Sequence, residues 1–259
     1  MPRLAANLSM LFTELPFLER FAAARAVGFT AVEYLFPYDF PAEELARRLR
    51  SHQLKQVLHN LPSGDWNAGE RGIACHPGRV HEFREGVDLA IAYAHALDCG
   101  QVNCLAGKLP PGVSGEEAHA TLVENLAHAP RALPSAGIRL LLEPINTFDI
   151  PGFFVSRTEQ AIALIDEVAS DNLLLQYDVY HAQRMEGEIA ATLQRHLARI
   201  GHIQVADNPG RHEPGTGEIN FPFLFRHLDA IGWTGHVGCE YRPRAGTSDG
   251  LGWIQETLQ

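Results

Sequence analysis

Hydrophobic positions along the chain form short apolar runs that alternate with longer segments of helical period. Eight of these runs are rich in Val, Leu and Ile, as is typical of parallel strands that are buried on both faces. We predict strands at residues 3–8, 31–36, 54–60, 101–106, 139–144, 173–178, 202–207 and 236–241.

A segment of helical pattern follows each predicted strand. Boundary signals support the assignment: Gly28 is placed as a C-cap, Pro41 opens a first turn, Ser114 and Glu117 form a capping box, and Asn220 is an N-cap. The predicted helical segments cover residues 14–28, 41–52, 78–100, 114–137, 156–170, 186–201, 220–232 and 246–258.

Eight strand–helix units predict an α/β protein with a single (β/α)8 TIM barrel over residues 1–259. A doubly wound open sheet is the alternative. It usually has fewer strands, and no GxGxxG sequence follows the first strand here.

Composition narrows the class of protein and of partner. A hydrophobic content of 46% in 259 residues is typical of an ordered globular chain with a sizeable core. The formal net charge of −10 disfavours a nucleic-acid partner, although a few local cations would suffice for a small anionic substrate. No signal peptide and no membrane-length apolar run is found, so we expect a cytoplasmic protein without membrane contact. The four cysteines form no CxxC pair and are expected to be reduced and structural, namely Cys75, Cys99, Cys104 and Cys239.

Oxygen-bearing side chains lie at the ends of the last four predicted strands. These are Glu143, Asp178, Gln204 and Glu240, and the active site of such a barrel lies at the C-terminal ends of its strands. Burying unpaired carboxylates is very costly, and hard divalent cations take oxygen ligands. The pattern therefore predicts a Mg²⁺ or Mn²⁺ site. A purely structural hydrogen-bond network across the barrel is the alternative.

Further polar residues are predicted to face the same end of the barrel. His181 lies three residues after Asp178, and His212 lies beside Arg211 in the loop after the seventh strand. We assign all three of these additional residues to substrate binding.

The long loop after the third predicted strand is rich in glycine and carries Trp66, Asn67, Glu70 and Arg71. Loops of this length in a barrel are often lids or substrate contacts, and a solvated surface excursion is the alternative. We include Glu70, and Asn60 at the end of the third strand, among the predicted substrate contacts.

Several segments together resemble the hydroxypyruvate isomerase family, which includes the 2-oxo-tetronate isomerases and belongs to the xylose-isomerase-like barrels. The resemblance runs from about residue 4 to residue 253, and its motifs do not separate the two activities. The segments are NLSMLFTELPFLERFAAARAVGFTAVEYLFPYDF, GDWNAGERG, EPIN, YDVYHAQRMEG, HIQVADNPGRHEPGTGEINF and GCEYRPRAGTSDGLGW.

The resemblance implies a divalent metal held by Glu143, Asp178, Gln204 and Glu240, with Glu143 and Glu240 as proton donor and acceptor. Related sugar epimerases often have His at the position of Gln204. The hydroxypyruvate isomerase branch has Gln there, as this sequence does. The implied reaction is an aldose–ketose type isomerisation of a small 2-keto acid, hydroxypyruvate to tartronate semialdehyde. It would proceed by metal-assisted proton transfer through a cis-enediolate.

Other functions stay open at this point. A 2-oxo-tetronate isomerase, a sugar epimerase or dehydratase that uses the same metal, a hydride shift in place of proton transfer, and an inactive sugar-binding barrel are all compatible with these residues. A DNA-repair endonuclease would need more His and Asp ligands and a basic groove. Arg211 and Arg242 are the predicted anchors for a substrate carboxylate. Barrels of this type commonly pair through surface helices, so a homo-oligomer is also considered.

Overall fold

The strands of the chain close into one parallel barrel. The computed structural model describes residues 2–133 and 137–257, without the side chains of residues 255–257. Neighbours in sequence pair in parallel all the way round, and the last strand pairs with the first. The strands are β1 (Arg3–Asn7), β2 (Ala31–Glu33), β3 (Lys55–Asn60), β4 (Gln101–Cys104), β5 (Arg139–Leu142), β6 (Leu173–Asp178), β7 (Ile200–Val205) and β8 (His236–Cys239). The predicted (β/α)8 barrel is confirmed.

Helices follow the strands and pack around the barrel. In the described part of the chain they are α1 (Arg20–Ala26), α2 (Ala42–Ser51), α3 (Val80–Ala96), α4 (Gly115–Ala132), α5 (Thr158–Val168), α6 (Val179–Met185), α7 (Ile189–His196), α8 (Phe221–Ala230) and α9 (Gly252–Thr257). The end of the helical pattern predicted over 114–137 includes residues 134–136, and the last predicted segment ends at residue 258. Those residues lie outside the described ones. No described helix has the length and apolar character needed to span a membrane.

The helix boundaries follow the local signals in the sequence. Ser114 Oγ accepts a hydrogen bond from the Glu117 backbone nitrogen at 3.1 Å, and Asn220 Oδ1 accepts one from the Phe223 nitrogen at 3.1 Å. Gly28 adopts a positive φ of 101° after α1, which favours glycine there. These contacts satisfy backbone groups that helix ends leave unpaired.

Strands β5 and β8 are shorter than predicted. The pairing of β5 with β6 ends at Leu142, and β8 ends at Cys239, so Glu143 and Glu240 lie just beyond the strands rather than within them. The apolar runs end at Leu142 and Cys239, where the strands also end, so the predicted strands extended too far into the polar residues that follow. Both carboxylates are thereby carried to the C-terminal mouth of the barrel.

The interior of the barrel is polar, whereas the layer between strands and helices is apolar. Asn7 on β1, Glu33 on β2 and Gln204 on β7 are each about 1% exposed, and the side-chain amides of Asn7 and Gln204 both donate to the Glu33 carboxylate. Strands β2 and β7 are not neighbours, so these side chains meet across the barrel. His202 on β7 completes this group, which we call the Glu33 cluster (Asn7, Glu33, His202 and Gln204), with its Nε2 atom 2.6 Å from Glu33 Oε2.

All four cysteines are buried free thiols. Burial raises the pKa of the Cys239 thiol, as it does for the other three, which holds them in the neutral form. The four thiols are unpaired with one another, as the sequence predicts for reduced cysteines.

Gly238 on β8 leaves the space that the Glu33 carboxylate occupies. A Cβ atom at position 238 would lie 2.4 Å from both carboxylate oxygens of Glu33. Gly238→Ala should therefore displace Glu33 and lower the free energy of unfolding by about 1–3 kcal/mol, the usual range for overpacking.

Urea unfolding measures this change. The matched control is Gly115→Ala, because a Cβ at position 115 meets nothing within 4 Å, and it should cost no stability. Equal unfolding midpoints for the two variants would contradict the steric account.

Candidate active site

A cavity of about 450 Å³ opens at the C-terminal end of the barrel. Six of the residues predicted for the site line it, together with Trp66 and Arg71 from the long loop after β3. The six are Asn60, Glu143, His181, Arg211, Glu240 and Arg242.

Glu143 is a buried carboxylate with one strong hydrogen bond. Its Oε2 atom accepts from Asn103 Nδ2 at 2.8 Å, and its side chain is 5% exposed. Burial, and then the nearby carboxylates Glu240 and Asp178, raise the pKa of Glu143 well above its usual range, although Arg211 opposes them. The surroundings of Glu143 therefore favour its protonated form.

Asp178 ends β6 and caps α6 in the same position. Its Oδ1 atom accepts hydrogen bonds from the backbone nitrogens of Tyr180 at 2.7 Å and His181 at 3.3 Å. Its Oδ2 atom is buried and has no hydrogen-bond partner. A buried carboxylate oxygen without a donor is costly, so this atom is suited to a ligand that carries positive charge.

Glu240 is held by two donors. Arg211 Nη2 donates to Glu240 Oε2 at 2.7 Å, and Asn7 Nδ2 donates to Oε1 at 3.2 Å. Arg211 Nη2 also lies 3.8 Å from Asp178 Oδ2. Burial raises the pKa of Glu240 to about 8 even though Arg211 lowers it.

The Gln204 amide is hydrogen-bonded through both its nitrogen and its oxygen. Its Nε2 atom donates to Glu33 Oε1 at 2.7 Å, and its Oε1 atom accepts from Gln176 Nε2 at 2.6 Å. An amide oxygen has two lone pairs, so one stays available to a further partner. The bond to Glu33 thus fixes the orientation of the Gln204 amide, with Nε2 toward Glu33 and Oε1 on the other side.

His181 is neutral and presents an N–H group to the two acids. Burial lowers the pKa of His181 to about 3. Asn146 Nδ2 donates to His181 Nδ1 at 2.6 Å, so the ring proton resides on Nε2. Nε2 lies 3.7 Å from Asp178 Oδ2 and 3.9 Å from Glu143 Oε1. In this tautomer Nε2 is an N–H donor on the cavity wall and has no lone pair free for a metal.

The remaining predicted substrate contacts are divided. Arg242 is exposed on the cavity wall, whereas His212 directs Nδ1 at the Arg242 carbonyl oxygen, 2.7 Å away, and does not line the cavity. Glu70 also lies outside the lining, because Arg79 binds its Oε1 atom at 2.5 Å. Asn60 lines the cavity and accepts from Asn103 Nδ2 at 3.2 Å.

Some polar residues of this end of the barrel were not predicted. Asn7 ends β1 and donates to Glu240, Asn103 lies in β4 and donates to Glu143, and Glu33 ends β2 and accepts from Asn7. Glu33 and Asn103 lie in the middle of the strands predicted over 31–36 and 101–106, so a search of the predicted strand ends does not find them. The stacking of Arg71 over the Trp66 ring, 3.9 Å from its centroid, had no comparable signal.

The donor set fits a hard divalent cation. Carboxylate oxygens of Glu143 and Asp178 lie within 4.8 Å of one another, and Asp178 Oδ2 lacks a partner. The carboxylates of Glu240 and Asp178 both raise the pKa of Glu143, whereas the guanidinium of Arg211 lowers it. A divalent cation would offset this excess of buried negative charge.

Comparison with known proteins gives full-length matches. Residues 21–257 match a family model described as a xylose isomerase-like TIM barrel. The chain is 56% identical to a hydroxypyruvate isomerase of Escherichia coli over 98% of both chains. It is 50% identical to a 2-oxo-tetronate isomerase of Cupriavidus necator over 100% of this chain and 99% of that protein. A crystal structure described as an AP endonuclease, family 2, from Brucella melitensis superposes with a TM-score of 0.96 at 46% identity and covers 99% of both chains.

The raised pKa of Glu240 predicts a pH dependence of stability in chelator-treated protein. Between the ordinary glutamate pKa of about 4.3 and the folded value of about 8, the folded chain binds a proton that the unfolded chain has lost. The free energy of unfolding should therefore fall as the pH rises through this window, and Glu240→Gln should make that fall smaller.

Urea unfolding at pH 5, 6.5 and 8 measures the slope. Glu116→Gln, which alters an exposed carboxylate on α4, is the control and should keep the slope of the unmodified protein. An unchanged slope in Glu240→Gln would show that Glu240 does not hold the proton.

Proposed function

The chain belongs to the xylose isomerase-like TIM barrels and, among them, to the family of the hydroxypyruvate and 2-oxo-tetronate isomerases, and on that basis we propose that this isomerase converts hydroxypyruvate into tartronate semialdehyde. The observation that carries the proposal is a pair of buried carboxyls with raised pKa values, Glu143 and Glu240, on the wall of one cavity. Moving a hydrogen between adjacent carbons requires one group that removes a proton and one that returns a proton.

Glu240 is the proposed base. A divalent cation bound beside Glu240 would lower its pKa from the raised value of about 8, and Arg211 stabilises the ionised form through the 2.7 Å hydrogen bond. Glu240 could then take a proton from the hydroxymethyl carbon of the substrate. Glu143 then delivers a proton to the neighbouring carbon, with Asn103 holding its other oxygen. The C–H bond at C3 breaks and a C–H bond at C2 forms. The proton of the C3 hydroxyl passes to the C2 oxygen, so the carbonyl moves from C2 to C3.

Glu143 and Asp178 would hold a divalent cation, with Glu240 and Gln204 as the further ligands implied by the family resemblance. The orphaned Oδ2 atom of Asp178 and the remaining lone pair of Gln204 Oε1 are consistent with this set. Such a cation supplies Lewis-acid stabilisation of negative charge on substrate oxygens. His181 Nε2–H is placed to orient the substrate by a hydrogen bond.

Arg242 is the proposed anchor of the substrate carboxylate. Its side chain is exposed on the cavity wall, and no carboxylate of the described chain lies within ion-pair distance of it. Arg211, in contrast, is already engaged by Glu240 and lies close to Asp178. We therefore assign substrate binding to Arg242 and the positioning of Glu240 to Arg211.

A 2-oxo-tetronate is the second candidate substrate. Relatives at 50% and 44% identity carry that activity in their names, and the substrate is a 2-keto acid with one more carbon. The same carboxyl pair and the same carboxylate anchor serve both compounds. Parallel assays with the two acids decide between them by kcat/KM.

Removing either carboxyl of the pair should abolish most of the turnover. Glu143→Gln and Glu240→Gln should each lower kcat by roughly 10²–10⁴-fold, the usual contribution of a positioned acid–base group. Chelator should remove activity from the unmodified enzyme, and Mn²⁺ or Mg²⁺ should restore it. Isomerisation of both acids is followed directly, with Glu116→Gln as the exposed control.

Full turnover in chelator would contradict the proposed requirement for a divalent cation. An unaltered kcat in both variants would contradict the two-carboxyl mechanism.

Substitution of Arg242 and of Arg211 should affect different kinetic constants. Arg242→Gln should raise KM by roughly 10–100-fold with little change in kcat, because a hydrogen bond to a charged group contributes about 1.5–3 kcal/mol. Arg211→Gln should mainly lower kcat, because Glu240 loses its charged partner. Arg244→Gln, an exposed neighbour outside the cavity, is the matched control.

A KM that stays constant in Arg242→Gln would exclude Arg242 as the anchor.

A further inference from the structure

A second cavity, of about 410 Å³, lies at the opposite end of the barrel. Its wall includes the first residues of several strands: Arg3 of β1, Lys55 of β3, Arg139 of β5 and His236 of β8. We call it the basal cavity. None of these residues takes part in the catalytic site described above.

The three cations of the basal cavity have no carboxylate partner within ion-pair distance in the described chain. Arg3 donates to the Thr234 carbonyl oxygen, and Arg139 Nη2 donates to Gln101 Oε1 at 3.2 Å. Both acceptors are neutral, and the described residues that line the cavity include no Asp or Glu. Because the whole chain has a net charge of −10, a cluster of uncompensated positive charge at one place is informative.

The pKa of His236 is lowered in part by the positive charges at this end of the barrel. Burial, and then the charges of Arg3, His202 and Lys55, lower the pKa of His236 to about 4, although Glu33 opposes them. His236 is therefore neutral at pH 7 and can donate or accept a hydrogen bond. The three formal positive charges belong to the other side chains.

Two buried polar atoms on the wall also lack partners. Trp233 Nε1 is a donor without an acceptor, and Gln56 Oε1 is an acceptor without a donor. Gln56 is 1% exposed, and its Nε2 atom is already bound to the Leu58 carbonyl oxygen at 2.7 Å. Unpaired buried polar atoms usually signal a missing water, ion or ligand.

We propose that the basal cavity binds a phosphate group, either as inorganic phosphate or as a phosphate monoester. Its negative oxygens would be neutralised by Arg3, Lys55 and Arg139, because guanidinium groups bind phosphate through paired charge-assisted hydrogen bonds. Trp233 Nε1 would donate to a further phosphate oxygen. A P–OH group, or a hydroxyl of the ester, would satisfy Gln56 Oε1.

Phosphate fits better than a carboxylate. A carboxylate has one negative charge and no O–H group when ionised, so it would leave the charge of three cations and the Gln56 oxygen unsatisfied. This proposal does not depend on the reaction assigned to the other end of the barrel.

The three tryptophans of the chain provide a reporter for each region. Trp233 lines the basal cavity and Trp66 lines the catalytic cavity. Trp253 is buried away from both, with Nε1 donating to Tyr241 Oη at 3.2 Å. A ¹H–¹⁵N spectrum of the full chain gives one indole signal for each, and Trp233→Phe assigns the basal one.

Inorganic phosphate and glycerol 3-phosphate are titrated separately at constant ionic strength, with sodium chloride as the reference salt. The Trp233 signal should shift and saturate with phosphate but not with chloride. In Lys55→Gln/Arg139→Gln the apparent affinity should fall at least roughly tenfold, as expected for the loss of charge-assisted contacts. Arg25→Gln, which removes one exposed cation of α1, is the control and should bind as the unmodified chain does.

The Trp66 and Trp253 signals of the double variant should remain at their original positions, which verifies its fold. Arg3→Gln, a separate variant with an independent substitution, should weaken binding as well. Tighter binding of glycerol 3-phosphate indicates a phosphate ester site, and equal or weaker binding indicates a site for free phosphate. A Trp233 signal that does not move, or that saturates equally in both cation variants, would overturn the proposal.

Discussion

Buried negative charge is the constraint on which this barrel depends. Glu33, Glu143, Asp178 and Glu240 are each at most 4% exposed, and ionised carboxylates cannot be buried without partners. Arg211 compensates Glu240 directly and reaches toward Asp178. The charge that stays uncompensated lies on Glu143 and Asp178, which is why burial and like charge raise the pKa of Glu143 and why a divalent cation fits beside them.

The Glu33 cluster links the barrel interior to the catalytic carboxyls through hydrogen bonds. Glu33 receives hydrogen bonds from Asn7 and Gln204, and its other oxygen lies against His202. Asn7 also donates to Glu240, so the same amide group links the interior carboxylate to the catalytic one. Gly238 provides the space for Glu33, and the packing of the barrel thereby determines how the site above it is oriented.

The sequence predicts the parts of this structure that depend on local pattern. Strands buried on both faces give continuous apolar runs, and the acids at their ends are brought together by barrel closure alone. The orientation of the Gln204 amide is different, because its partners Glu33 and Gln176 come from two other strands. Likewise, nothing near Glu70 in sequence indicates whether it faces the cavity or, as observed, Arg79. Side-chain orientation follows from contacts across the fold, which spacing along the chain does not encode.

The central claim is that two carboxyls move protons between adjacent carbons of a 2-keto acid. Isomerisation of hydroxypyruvate in D₂O, stopped early and analysed for deuterium at C2 of tartronate semialdehyde, tests it most directly. Product incubated in D₂O without enzyme corrects for spontaneous exchange. Because a carboxyl proton exchanges with solvent before delivery, the account predicts deuterium at C2. Product with only hydrogen at C2 would indicate direct hydride transfer and contradict the roles given to Glu143 and Glu240.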